Sequence, residues 1–195
     1  MLTFEVQALE PYEKAEHQFV RAVYYETEWD LSHLDSFSFK CDVGLSCVIT
    51  IVVTFSCHCF THSIARDGRT RRDIPDAELY DDGREVRVLD SARYALSKQL
   101  LRDVIMTLDD RPIVVADDRQ PNFMTQEKSH ADGTTSLYAV FFEVRKARAR
   151  QQRLILRIQS AYLLEEKLTK RQRHAKRVAL KTLLRATYEG RKIRP

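Results

Sequence analysis

Alternating apolar and polar residues predict most of the β-strands in the chain. Phe37, Phe39 and Cys41 occupy every second position, which places their side chains on one face of a strand. The turn-like residues Asp42 to Gly44 separate this run from a longer apolar run, so the two runs together predict a hairpin. The predicted strands cover residues 3–8, 37–41, 47–62, 85–89, 113–116, 137–144 and 154–161.

Apolar residues at helical spacing predict three helices. The clearest is 92–108, where leucine, valine and isoleucine side chains form one stripe behind a cap at Asp90 or Ser91. The last helix is predicted to stop at Gly190, because glycine readily adopts the left-handed conformation that ends many helices. The predicted helices cover residues 12–29, 92–108 and 163–188.

These elements predict an α+β fold, with an antiparallel sheet packed on one or two helices and a long basic C-terminal helix. The element order divides the chain into an α+β domain at residues 1–162 and a basic helical extension at residues 163–195. The polar segments 65–84 and 117–136 contain glycine and proline and predict surface loops.

The net charge of +4 hides a strong division along the chain. Residues 145–195 contain 17 lysines and arginines against three acidic residues, a net charge of +14. The first 144 residues contain 15 basic and 25 acidic residues, a net charge of −10. A basic tail on an acidic body suits contact with phosphate backbones or with an acidic protein partner.

The composition predicts a cytoplasmic protein without membrane contact. The longest apolar run, 48–55, is far shorter than the roughly 20 residues of a membrane-spanning helix. The N-terminus lacks the basic and apolar segments of a secretory signal. Disulfides are rare in the cytoplasm, so we expect reduced thiols at all cysteines. These are Cys41, Cys47, Cys57 and Cys59.

The string Cys57-His58-Cys59, followed by His62, contains the residue types that bind zinc. In a strand over 47–62, however, the two cysteines face the core and the two histidines face the opposite side. The single residue between the cysteines is also shorter than the spacing in structural zinc sites. The expectation is therefore buried thiols, no metal and no cofactor, with zinc as the alternative.

The opposite face of the predicted sheet collects side chains suited to phosphate chemistry. His58 and His62 share this face with Arg145 and Arg157 if both hairpins belong to one sheet. Metal-free RNA cleavage needs a base for the 2′-hydroxyl and a cation for the charge of the transition state. The alternatives are ordinary surface histidines, and arginines that pair with Glu143 across the strands.

The predicted C-terminal helix combines an apolar stripe with a cationic remainder. The stripe would pack on the body or on a partner, and the cationic side chains would face solvent or phosphate. The candidate nucleic-acid-binding residues are Lys170, Arg171, Arg173, Lys176, Arg177 and Lys181.

Three segments of the chain follow one another as a predicted helix and two predicted strands: SARYALSKQLLRDVIMTL at 91–108, YAVFFEV at 138–144 and LILRIQSAY at 154–162. In their order they resemble the RelE/ParE/BrnT group of small bacterial toxins, in which a helix precedes a short sheet with a basic hairpin. The resemblance implies RNA cleavage by basic, hydroxyl or imidazole side chains on the sheet, which fall here on Arg145, Arg157 and Tyr162. The chain departs from the group in its N-terminal hairpin, its length and its basic tail. The same segments are similar to uncharacterised proteins of bacterial mobile elements.

The residues leave two functions open. The first is a metal-independent endoribonuclease, a toxin or defence effector that acts on RNA. The second is a non-enzymatic regulator or adaptor that binds RNA, DNA or an acidic partner such as an antitoxin through the basic helix. The catalytic candidates for the first are His58, His62, Arg145, Arg157 and Tyr162.

Overall fold

A seven-stranded mixed sheet forms the centre of the structure. The computed structural model describes residues 19–45, 48–115, 122–129, 133–147, 153–164 and 168–193, with only the backbone of Arg171. The strands in these residues are β1 (Val23–Tyr24), β2 (Thr27–Glu28), β3 (Phe37–Asp42), β4 (Val48–Phe55), β5 (Thr61–His62), β6 (Leu79–Asp81), β7 (Val86–Leu89), β8 (Ile113–Val114), β9 (Asn122–Ser129), β10 (Thr135–Lys146), β11 (Arg153–Leu163) and β12 (Arg177–Val178).

The order of strands in the large sheet is β12-β8-β9-β10-β11-β4-β3. All neighbouring pairs run antiparallel except β4 and β11, which are parallel. In this parallel pair Thr54 lies opposite Arg157. The parallel pair therefore joins the two halves of the sheet, which come from distant parts of the chain.

Two smaller sheets lie outside the large one. Strands β5, β7 and β6 form an antiparallel sheet in that order, and β1 and β2 form a short hairpin. Tyr25 and Glu26, between β1 and β2, have φ angles of 43° and 67°. This left-handed conformation at both central residues is that of a tight two-residue hairpin turn.

The helices are short, and the longer ones contact β10 or β11 of the large sheet. Asp90 caps the first of them by accepting a hydrogen bond from the backbone N–H of Arg93 at 2.9 Å. The helix then continues through a π turn, so the three segments together form one element, called here the central helix. The helical elements are α1 (Ser91–Leu96), the π turn (Ser97–Leu101), α2 (Arg102–Met106), α3 (Lys170–His174) and α4 (Leu180–Glu189).

The core lies between the large sheet and the helices. Alternation along the strands turns one side chain in two toward the core, as in Leu154, Leu156 and Ile158 of β11, which are fully buried. On the opposite face the same strand carries Ile155 and Arg157, which are half-buried. The helices supply the other half of the core with Leu101, Val104, Ile105, Leu180, Leu183 and Leu184.

The predicted fold class is wrong in three respects. The sheet is mixed rather than antiparallel, because β4 pairs with β11 in parallel. Among the described residues, strand exceeds helix, 40% against 31% for helical turns of all types. The long C-terminal helix is replaced by α3, the edge strand β12 and α4, so only Leu180–Glu189 forms a helix of any length. Its predicted stop at Gly190 is confirmed, with φ of 73°.

The strand predictions fare better than the others. The hairpin of β3 with β4, strand β7, and the hairpin of β10 with β11 are confirmed. The predicted long strand ends at Phe55 instead of 62, the predicted loop at 117–136 contains β9, and residues 23–28 of the predicted first helix form a hairpin. The predicted strand at 3–8 lies outside the described residues.

Among the described residues, no helix has the length and apolar character that crossing a membrane requires.

The docking of α4 on the sheet gives a test of stability. Leu184 is fully buried, so Leu184→Ala should lower the free energy of unfolding by about 2–5 kcal/mol. Arg185→Ala, on the exposed side of the same helix, is the matched control and should cost less than about 0.5 kcal/mol. Urea unfolding followed by circular dichroism measures both. Equal stability of the two variants would show that α4 is not part of the core.

Candidate functional site

The short turn after β4 carries the first candidate residue. Residues Cys57–Cys59 form a 3-10 turn rather than the continuation of a strand. Ser56 caps this turn, because its hydroxyl accepts a hydrogen bond from the backbone N–H of His58 at 3.1 Å. Within such a turn successive side chains are not restricted to opposite faces, so Cys57 and His58 can reach the same space.

Strand β11 holds this turn in place. The backbone N–H of Ser56 donates to the carbonyl oxygen of Ile158 at 3.0 Å, and its hydroxyl donates to the carbonyl oxygen of Gln159 at 2.7 Å. On the other side, the buried hydroxyl of Thr61 donates to the carbonyl oxygen of Cys57 at 2.8 Å. These three bonds fix the position of His58 relative to β11.

A second turn, between β6 and β7, brings Glu85 to His58. One carboxylate oxygen of Asp82 accepts hydrogen bonds from the backbone N–H groups of Arg84 and Glu85 at 2.9 and 3.0 Å. The side chain of Glu85 then lies 2.8 Å from Nε2 of His58 and 3.1 Å from Nη1 of Arg87. Glu85 is therefore oriented by its backbone and by a buried arginine.

The contact between His58 and Glu85 defines the state of the imidazole. An ionised carboxylate only accepts hydrogen bonds, so Nε2 carries the proton and Nδ1 of the neutral ring is left to accept one. Burial lowers the pKa of His58 below its ordinary value, and the hydrogen bond to Glu85 opposes that shift. The same bond lowers the pKa of Glu85. The pair is thus suited to proton transfer near neutral pH.

Two arginines from the last hairpin line the same cleft. Arg157 lies on β11 opposite Glu143 of β10, and Arg145 lies two residues further along β10. Among the described residues, neither guanidinium forms an ion pair or a hydrogen bond. Glu143 lies directly across from Arg157 on the neighbouring strand. The described contacts nevertheless contain no ion pair between Glu143 and either arginine.

The resulting cleft, called here the His58 cleft, has a volume of about 480 Å³. Polar and charged groups supply most of its walls, and three aromatic residues contribute the largest apolar side chains. Its lining residues are Phe19, Val20, Phe55, Ser56, Cys57, His58, Tyr80, Asp82, Arg84, Glu85, Arg145 and Arg157. The structure thus brings together three of the five predicted catalytic residues, His58, Arg145 and Arg157.

The other two predicted catalytic residues, His62 and Tyr162, line a different pocket, of about 820 Å³. Nδ1 of His62 lies 3.1 Å from Asp90, and Nε2 lies 2.9 Å from Asp67. Both ring nitrogens therefore face carboxylates, and neither is available to a substrate hydroxyl. The Asp67 side chain is only 4% exposed, and it also forms an ion pair with Arg69.

Tyr162 serves the packing of the same region. Its ring stacks on Phe141 at a centroid distance of 5.4 Å, and the guanidinium of Arg93 lies 4.5 Å above it. Nη1 of Arg93 also donates to the carbonyl oxygens of His58 and Thr61, at 3.3 and 3.0 Å. Arg93 therefore connects the central helix to both pockets.

The three described cysteines are free and buried. Burial raises the pKa of the Cys57 thiol to about 12, and the neighbouring carboxylate of Asp82 adds to this shift. The sulfur of Cys57 lies 3.4 Å from Asp82, so Cys57 borders the His58 cleft, whereas Cys59 is fully buried. The expectation that these cysteines bind no metal rested on strand geometry, and the 3-10 turn removes that argument for Cys57. Cys47 lies outside the described residues.

The predicted nucleic-acid-binding residues are spread over three elements instead of one helix. Where their side chains are described, they are exposed; the side chain of Arg171 is not described. They lie on α3 (Lys170, Arg171, Arg173), next to or on β12 (Lys176, Arg177), and on α4 (Lys181). The capping pair of α3, Thr169 and Gln172, lines the pocket that contains His62. A basic surface therefore borders that pocket.

Sequence reasoning missed Glu85, which completes the site. The available signal was the segment Asp81-Asp82-Gly83, a turn that an aspartate side chain stabilises by accepting backbone N–H groups. This turn sets the position of Glu85, which directly precedes strand β7. Only the tertiary structure shows that His58 lies there.

Comparison with known proteins identifies the family of the chain. The model of the YjaZ family matches residues 21–188 of the chain. No curated protein and no solved structure matches it. The match does not bear on the RelE/ParE/BrnT resemblance, which stays a prediction.

The environment of His58 predicts its titration. In EDTA, an NMR titration should give His58 a midpoint below the ordinary value of about 6.5, because burial disfavours the charged ring. Glu85→Gln should lower the midpoint further, since the carboxylate stabilises the protonated ring. A midpoint above 6.5 in the unmodified protein, or a rise in the variant, would contradict the described environment.

Proposed function

The chain belongs to the YjaZ family, and we propose its function from the chemistry of the His58 cleft. The protein interacts with nucleic acid and cleaves RNA without a metal ion. One observation carries the proposal. His58, in contact with Glu85, shares a cleft with two arginines, Arg145 and Arg157, which form no ion pair among the described residues.

The first supporting argument concerns the base. Nδ1 of His58 is the nitrogen that can accept a proton, because Nε2 donates to Glu85. The contact with Glu85 also holds the ring in one orientation and stabilises the imidazolium that forms on proton transfer. Glu85 is thus a positioning residue for His58.

The second supporting argument concerns the cations. Cleavage of a phosphodiester concentrates negative charge on the non-bridging oxygens of the phosphate, and guanidinium groups match those oxygens in charge and in geometry. Arg157 is half-buried and Arg145 is exposed, so a bound phosphate can reach both. Arg84 adds a third positive charge at the rim of the cleft.

The reaction follows from these roles. His58 removes the proton of a ribose 2′-hydroxyl, and the resulting oxygen forms a bond to the adjacent phosphorus. The bond from phosphorus to the 5′-oxygen breaks, and this oxygen takes a proton from solvent in the open cleft. The products are a 2′,3′-cyclic phosphate and a 5′-hydroxyl end. The arginines stabilise the transition state by neutralising its charge.

A second candidate function is non-enzymatic binding of nucleic acid or of an acidic protein, such as an antitoxin. The exposed lysines and arginines on α3, β12 and α4 favour it, because a cationic surface gains affinity by releasing counterions from phosphates. In the proposed enzyme the same surface holds the substrate. We propose a cytoplasmic location, with which the free thiols of the described cysteines agree. The proposed role of the enzyme there is that of a toxin or defence effector.

Cleavage of a mixed RNA pool in EDTA tests the enzymatic proposal. His58→Ala should lower the rate about 100-fold or more, because the base is lost. Arg157→Ala should lower it by roughly 100-fold while changing RNA binding much less, because the cation acts mainly in the transition state. Controls are His174→Ala on α3 and Arg153→Ala on the same face of β11, both expected to cleave normally. A 2′-deoxy nucleotide at the cleaved position should block the reaction.

Three results decide the outcome of this assay. Wild-type protein that binds RNA and leaves it intact in EDTA, with normal growth on induction, would establish the binding function instead. Loss of cleavage in a folded His62→Ala variant, with His58→Ala active, would move the base to the other pocket. Products without a 2′,3′-cyclic phosphate would contradict the reaction described above.

Salt dependence tests the proposed basic surface. Binding of single-stranded RNA should weaken as salt rises, with a slope that falls by about 0.7 for each phosphate contact removed. The triple variant Lys170→Ala, Arg173→Ala, Lys176→Ala should therefore lower the slope by about 2. Arg72→Ala, at an exposed arginine of the 71–73 turn, is the control and should leave the slope unchanged. Fluorescence anisotropy at several salt concentrations measures it. An unchanged slope in the triple variant would place the binding surface elsewhere.

A further inference from the structure

Three different metal-binding groups meet in the His58 cleft. The sulfur of Cys57, a ring nitrogen of His58 and a carboxylate oxygen of Glu85 all lie within 4.8 Å of one another. Ligand atoms around a tetrahedral zinc ion lie roughly 3–4 Å apart, given bond lengths of about 2.0–2.3 Å. Small side-chain movements are therefore enough to place an ion among the three atoms.

A fourth group stands next to this cluster. Oδ2 of Asp82 accepts the thiol proton of Cys57 at 3.4 Å, while Oδ1 of the same carboxylate accepts from two backbone N–H groups of its own turn. The second oxygen of Glu85 is held by Nη1 of Arg87 at 3.1 Å. The two carboxylates are thus fixed by groups outside the cluster, as the carboxylates of metal sites usually are.

Two hydrogen bonds inside the cluster are the ones that an ion would replace. They join Cys57 to Asp82 and His58 to Glu85. In each bond, a group that can bind a metal ion donates its proton to a carboxylate. A cation that replaces the two protons therefore contacts both donor groups and both carboxylates. Binding from neutral solution releases the thiol proton of Cys57, because only the thiolate is a ligand.

We propose that a thiophilic divalent ion of the zinc type binds to Cys57, His58 and Glu85, with Asp82 as the fourth ligand, and that the bound ion switches off RNA cleavage. The second half of the proposal rests on the function proposed above. A metal-bound imidazole carries its proton on the other nitrogen, so it cannot act as a base. The ion also neutralises the carboxylate that orients His58. The cleft is then a metal-inhibited active site.

Cobalt titration tests the metal site without reference to activity. The full chain, treated with EDTA and desalted, is titrated with Co²⁺, whose bond to a thiolate gives a charge-transfer absorption band. We expect one equivalent to bind, the band to be absent in Cys57→Ser, and Zn²⁺ to displace the cobalt. Cys41→Ser, a buried thiol on β3, is the matched control and should keep the band.

Further variants guard against loss of folding in Cys57→Ser. Glu85 is 46% exposed, so the Glu85→Gln variant should fold normally. It should nevertheless bind the ion more weakly than the unmodified protein, because it lacks the carboxylate. Asp82→Asn removes a charged ligand, so it should lower the affinity by more than the about 10–100-fold that the loss of a group outside the ligand shell costs. A band that is missing from the unmodified protein, or that survives in Cys57→Ser, would overturn the metal site.

RNA cleavage in EDTA and with one equivalent of Zn²⁺ tests the regulatory half. Cleavage by the unmodified protein should stop when zinc fills the site, and folded Cys57→Ser should remain active at the same zinc concentration. Cobalt binding by a protein that never cleaves RNA would refute the proposed function and leave the metal site standing. Cleavage without cobalt binding would refute the metal site alone. Cleavage that zinc stimulates would overturn the inhibitory role.

Discussion

The parallel pairing of β4 with β11 is the contact on which the rest of the structure depends. It joins residues about 100 positions apart in the chain, as in Thr54 and Arg157, and it turns two separate hairpins into one sheet. The pairing continues one residue beyond β4, where Ser56 bonds to β11 through both its N–H and its hydroxyl. The turn with His58 begins at that residue. The same ladder therefore places an imidazole beside an arginine from the far end of the chain.

The partly buried guanidinium of Arg93 complements this ladder from the helix side. It donates to two carbonyl oxygens around the His58 turn, lies over the ring of Tyr162, and contacts Asp90 at 3.3 Å. Burial lowers the pKa of Arg93, and the loss of one partner of such a charge is costly. Arg93 thus links the helix N-terminus, the turn and β11. Movement of the central helix has to disturb both the His58 cleft and the pocket of His62.

The sequence predicts those elements whose cause is local. Alternation identified the hairpins of β3 with β4 and of β10 with β11, and Asp90 identified the start of the central helix. Strand β9 was missed because its residues, NFMTQEKS, are polar apart from Phe123 and Met124, and it is stabilised by pairing with β10. The C-terminal helix failed for a related reason. Val178 fits the apolar stripe of a helix and Arg177 fits its cationic remainder, yet both residues pair with β8 at the edge of the sheet. The parallel pair of β4 and β11 has no local signal at all.

The site illustrates the same limit at the level of single side chains. His58, Arg145 and Arg157 were grouped on one face by extending strand alternation to residue 62, but β4 ends at Phe55 and a 3-10 turn follows. The grouping survives because Arg145 and Arg157 do lie on the open face, and the turn brings His58 back toward it. The same turn abolishes the separation of Cys57 from His58 that a strand would impose. The cysteine and the imidazole therefore lie within reach of one ion, and the proposed proton transfer and the proposed metal binding both use the same imidazole.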